Sequence, residues 1–149
     1  MAIQNAMKRP PFIASLLLFA LTFIHTACAD DLKAMEGKWK VETVEAGGKV
    51  IEIKELEDLV VTITGDRYEL TTPQGPDAGT LKLDETAKPK TMDATDTEGF
   101  DAGKVIKAIY EIIGDTMRVC YATEGGERPS ELATKEGSPR LLITYKRVK

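Results

Sequence analysis

The chain has 149 residues, with 20 basic against 24 acidic side chains, one histidine and two cysteines, for a net charge of −4. That length suits one domain plus a short appendage rather than two domains. An acidic chain with scattered lysines gains no counterion-release energy from a phosphate backbone, so no nucleic-acid partner is expected and anionic membrane surfaces are poor partner candidates.

The first 29 residues have the three parts of a secretory leader in order. Lys8 and Arg9 are the only charges before residue 30, residues 12–24 form a mostly apolar run of 13, and Ala27-Cys28-Ala29 supplies an A-x-A cleavage site. The run is too short to span a bilayer, which takes about 18 apolar residues or more. The expectation is a signal peptide over 1–29, a domain over 30–149, and an exported protein, periplasmic or extracellular. Lipidation of Cys28 after cleavage at Ala27 is the second reading. His25-Thr26-Ala27-Cys28 has the small residue before the cysteine but lacks a Leu three positions ahead of it. Cleavage leaves 120 residues with a net charge of −6, one cysteine (Cys120) and no histidine. Such a domain has no internal disulfide and depends on its core.

From residue 35 onward, apolar residues recur at every second position, which predicts eight strands with one apolar face each. In chain order the apolar faces are Trp39/Val41/Thr43, Leu59/Val61/Ile63, Tyr68/Leu70, Leu81/Leu83, Met92/Ala94, Ile106/Ala108/Tyr110/Ile112, Met117/Val119/Tyr121 and Leu141/Ile143/Tyr145. Residues 53–59 (IKELEDL) break this pattern and predict a short helix, stable only if it packs on the sheet. Gly65-Asp66 and Gly114-Asp115 each separate two strand patterns and predict two-residue hairpins, where glycine takes the positive φ. Residues 73–77 predict a longer turn. Residues 122–139 form the longest irregular stretch, with a strand-like piece at 130–134; loops beyond about 12–15 residues are usually functional or mobile. Eight antiparallel strands with one apolar face hide both that face and their edges by closing into a barrel. The predicted fold is all-β: an eight-stranded up-and-down antiparallel barrel with one short helix after the first strand.

Gly37-Lys38-Trp39-Lys40-Val41 looks like the G-x-W opening of a lipocalin first strand. It is followed in order by GGKVIEIKELEDL, TGDRY, GTLKLD, KPKTMD, TEG, IYEIIGDTMRVCY, GGERPSEL and LLITYKRVK. This succession, over about residues 35–149, resembles the exported lipocalin-like domain family of planctomycete-type bacteria. The resemblance implies the barrel and little about activity. By the wider lipocalin analogy, Trp39 plugs one end and a basic residue of the last strand, Arg147, stacks on it, a contact worth about 0.5–2 kcal/mol. One departure is Asp96, which by alternation points with Met92 and Ala94: either the fifth strand ends before it, or a carboxylate faces the interior.

Without histidine the domain builds no Ser-His-Asp or Cys-His arrangement and no His-containing zinc site, and its single cysteine completes no ligand set. It carries no G-x-S-x-G, P-loop or G-x-G-x-x-G motif. The expectation is therefore no enzyme, no cofactor and no metal. Asp93, Asp96, Glu98 and Asp101 are close in sequence but lack the loop order of a calcium site, so a polar strand end is preferred. Cys120 falls on the face opposite Met117, Val119 and Tyr121, as an inert thiol under a loop would.

Two readings of function remain. In the first the barrel holds a small apolar or amphipathic ligand against Tyr68, Tyr110, Met117, Tyr121 and Asp96, with Arg128 in the long loop at the mouth. That reading needs an interior cavity of about 300 Å³ or more. In the second, a packed barrel docks a protein partner through an outward patch of Val60, Ile109 and Leu142.

Overall fold

The computed structural model describes residues 30–149 except Ile53, Asp58, Gln74, Phe100 and Glu124, and not the side chains of Glu55 and Glu57. The leader, its cleavage site and Cys28 lie outside the described residues. In chain order the elements are α1 (Asp31–Met35), β1 (Gly37–Ala46), β2 (Lys49–Ile51), α2 (Lys54–Glu57), β3 (Val60–Thr64), β4 (Arg67–Thr72), β5 (Gly75–Asp84), β6 (Thr91–Glu98), β7 (Val105–Ile113), β8 (Thr116–Ala122) and β9 (Arg140–Arg147). Strands β3 to β9 pair each with the next, all antiparallel, and β1 joins β3 to β9, closing an eight-stranded barrel. The eight predicted strands and the helix predicted within 53–59 are all present.

Three features depart from simple alternation. β1 pairs Val41 with Tyr145 but Thr43 with Thr144, so Glu42 is an extra residue. A bulge of one residue reverses the faces beyond it: Val44, not Thr43, is buried. Second, β2 shares with β3 the same edge of β1, against Val44–Ala46 and Gly37–Lys40 respectively. Helix α2 interrupts the wall between them and packs Leu56 against the core. The β1–β2 hairpin turns on Gly47 and Gly48, at φ +59° and +77°; positive φ at both central positions is what two glycines allow cheaply. Third, β5 starts at Gly75, so Pro76 and Asp77 lie in a strand rather than in the long turn expected at 73–77. Residues 130–134 are irregular, not strand-like.

The barrel has unlike ends. The turns at 65–66 and 114–115, the 85–90 connection and α1 gather at the floor. Asp30 caps α1, accepting from the Lys33 N–H. Asp31, 5% exposed, accepts from the Tyr110 hydroxyl at 2.9 Å and pairs with Lys90 at 2.6 Å. The indole N–H of Trp39 donates to Met35 O at 2.7 Å. The Arg147 guanidinium lies 4.1 Å over the Trp39 ring and donates to Ala34 O and Glu36 O, satisfying carbonyls at the end of α1. Met35 and Trp39 are fully buried there.

The long connection after β8 first borders the other end, at Thr123, Gly125 and Gly126. It then runs down the outside as a strap. Ile109, Cys120 and Leu142 stand side by side on β7, β8 and β9, on the outer face. All three are at most 1% exposed, with Leu132 of the strap packed on them. The outward patch expected for a docked partner is thus already covered at Ile109 and Leu142 by the chain itself.

Candidate ligand-binding site

Inside the barrel is a cavity of about 250 Å³. By itself it falls short of the roughly 300 Å³ that the ligand reading needs, a size reached only together with the mouth recess. The residues at alternate positions of β3 to β9 build it: their period of two brings one apolar side chain per two residues to a common interior. Val61, Leu81, Met92, Met117 and Ile143 are among its walls. Toward the mouth it adjoins a wider recess of about 880 Å³, and the two share Asp101, Ile106, Tyr121 and Ile143. Lys104, Lys107 and the Gly125-Gly126 backbone also line that recess.

The polar groups of the cavity are carboxylates and phenols. Tyr68 of β4, Gly79 of β5 and Asp96 of β6 are register partners in one row across three strands. Gly79 has no side chain, so the Tyr68 ring crosses over it and its hydroxyl donates a short hydrogen bond to the Asp96 carboxylate. A β-carbon at position 79 would collide with that ring and with Thr95 O. Asp96 is 5% exposed and faces inward. The second alternative for this departure therefore holds: a carboxylate faces the interior. Burial, followed by the Asp96 charge, raises the Tyr68 pKa far above the usual phenol value.

Asp77 stands on the same wall. Its Oδ1 is shut from solvent and has no hydrogen-bond partner among the described residues. Burial and then the Asp96 charge push its pKa up from 3.8. Across the cavity the hydroxyls of Tyr121 and Tyr145 lie 3.0 Å apart. One donates to the other, which leaves the second hydroxyl hydrogen without a described partner. Burial pushes Tyr121 up to about 12 and Tyr145 well above its usual value, so both are protonated at neutral pH.

Of the six residues expected at a ligand, four meet here: Tyr68, Met117, Tyr121 and Asp96. Tyr110 points inward but its hydroxyl is committed to Asp31 on the floor, and the ring does not line the cavity. Arg128 is on the outer wall. It donates to Met92 O and Ala108 O at 2.9 and 2.8 Å and pairs with Asp93 at 2.5 Å, tying the strap to β6 and β7. Asp77, Asp101 and Tyr145 were missed as site residues. Tyr145 was legible from its inward alternation, whereas Asp77 was hidden in a supposed turn.

The acidic run is dispersed. Asp93 faces Arg128, Asp96 faces the cavity, Glu98 pairs with Arg67 outside, and Asp101 pairs with Lys104. Among the described residues no group of three His, Cys, Asp or Glu side chains is arranged to hold a metal ion. Cys120 lies under the strap with Sγ 3.9 Å from Ala133 O, and burial raises its pKa. Among the described residues no helix is long and apolar enough to cross a membrane. No protein-family model and no curated protein matches the chain.

Proposed function

We propose that the protein is an exported, lipocalin-like binding module that holds a small, mainly apolar molecule in the barrel interior. The supporting observation is the cavity: apolar walls, a floor filled by Met35 and Trp39, and a few carboxyl and phenol groups in the lining. Ligand sites are commonly built this way, with polar groups fixing orientation among apolar contacts. The interior of about 250 Å³ is below that need by itself, so the proposed ligand also occupies the mouth recess that adjoins it. No catalytic step is assigned to the site. A protein partner docked on Ile109 and Leu142 has lost its support, since the strap occupies that face.

Titration of the purified protein with 2-phenylethanol, a neutral apolar probe, followed by ligand-observed NMR, tests the binding. Saturable binding is expected, and Ala94→Phe, which fills the cavity from β6, should abolish it. Binding that survives in a folded Ala94→Phe variant would place the probe elsewhere and remove the proposal. Export has its own check, the N-terminal residue of the mature protein, expected to be Asp30.

A further inference from the structure

The geometry points to a cationic ligand: the cavity is built for a small apolar amine whose ammonium group lies against Asp96. This rests on the proposal that the cavity binds a ligand and adds its charge class.

Three observations carry it. First, among the described residues the cavity lining contains Asp77, Asp96 and Asp101 and no lysine, arginine or histidine. Second, Asp96 is 5% exposed, and its one hydrogen-bonding side chain is the neutral Tyr68 phenol. Buried carboxylates are ordinarily met by a cation or a set of donors. Elsewhere in this protein that holds: Asp31, equally buried, has both Lys90 and Tyr110. The half-buried Asp93 and Asp101 also have cations, Arg128 and Lys104. Among the described residues, Asp96 is thus a buried acid with no cation against it. Third, Asp77 on the same wall has an oxygen closed from solvent and without a hydrogen-bond partner among the described residues. Two neighbouring carboxyls in a partly dry cavity repel, and a positive charge placed between wall and lumen relieves both.

The apolar walls set the rest of the molecule. Leu81, Met92 and Met117 offer no hydrogen bonds, so the ammonium needs an aliphatic or aromatic body. The Tyr121–Tyr145 pair can meet a second polar group. A carboxylate-bearing ligand is disfavoured inside by like-charge repulsion from Asp96. The exposed Lys104 and Lys107 stand only at the mouth recess.

A matched series separates charge from shape: 2-phenylethylamine, 2-phenylethanol and 3-phenylpropanoate, titrated into the protein at pH 7 by calorimetry with backbone NMR to locate each. The amine should bind about tenfold or more tighter than the alcohol, as a charge-assisted hydrogen bond does relative to a neutral one. The carboxylate should bind weakest. Asp96→Asn keeps an acceptor for Tyr68 and should erase the amine preference while retaining alcohol binding. Asp77→Asn should reduce the preference in part. If the alcohol or the carboxylate binds as tightly as the amine, the charge inference fails and the cavity reading stands. If none of the three moves the resonances of Met92, Met117 or Tyr121, both fail. An amine preference unchanged in folded Asp96→Asn also overturns the inference, whatever the other variant does.

Discussion

Gly79 is the residue on which the inner wall turns. Its missing side chain lets one phenol span a whole strand, linking β4 to β6 through Tyr68 and Asp96. Gly79→Ala is expected to destabilise by about 1–3 kcal/mol, because a new methyl must displace the ring or the Thr95 carbonyl. Urea denaturation measures this; a variant as stable as the parent would mean the ring moves away freely. Tyr68→Phe acts from the other side. It deprives a carboxylate that is 5% exposed of its donor and should cost about 1–3 kcal/mol in the same assay. The two losses are not additive, since both substitutions act on one contact.

At the scale of elements, two pieces of irregular chain do work that the strands leave undone. Helix α1 has five residues and would not persist alone. The floor holds it through Tyr110, Lys90, Trp39 and Arg147. Arg147→Ala removes two donors from its C-terminal carbonyls and the cation from the indole face. The sole tryptophan then reports the outcome: its emission should shift to the red and become more accessible to acrylamide. The strap covers the outer row of β7, β8 and β9 with Leu132, and Arg128 and Arg118 fasten it at Asp93 and Leu132 O. Cys120 lies under that cover and should react slowly with a thiol reagent under native conditions. Leu132→Ala loosens the cover, and labelling should then quicken about tenfold through local opening. Equal rates in the two proteins would show that the strap is not what protects the thiol.

For the whole molecule, pH acts through carboxyls of two kinds. Asp115 beside Lys149, Asp84 bonded by Thr86 and Glu131 beside Lys135 have lowered pKa values. Their stabilisation is present above the ordinary carboxylate values and is lost as pH falls; Asp84 and Glu131 are exposed and Asp115 half-buried, so salt weakens it. Asp77 runs the other way. Its folded pKa is raised above 3.8, so the folded state holds the proton more tightly than the unfolded chain does. Stability therefore falls as pH rises from 3.8 through the folded value, and the penalty stays above it. Asp77→Asn should thus be more stable than the parent at pH 7, with the gain shrinking toward pH 3.8. Denaturation midpoints at the two pH values check the sign; a gain that grows on acidification would contradict it. Charge neutralisation by a bound amine would have the same stabilising direction at pH 7.

The strands, their faces and the closed barrel were legible in the order of residues, because a pleated strand turns alternate side chains to opposite sides whatever its partners are. The same alternation placed Tyr68, Met117, Tyr121 and Asp96 inside. It failed at Glu42, where one extra residue reversed the faces, and at 73–77, where two prolines and a glycine read as a turn. Direction also is not function: Tyr110 points inward, yet Asp31, 79 positions earlier, takes its hydroxyl to the floor. Arg128 reads as a loop residue at the mouth, yet Asp93 and two strand carbonyls draw it down the outer wall. Local periodicity thus decided which side of the wall each strand residue occupies. Which end of the barrel is sealed, where the strap lies and which carboxylates meet a cation were decided by contacts between distant residues, and only closure of the barrel brings those together.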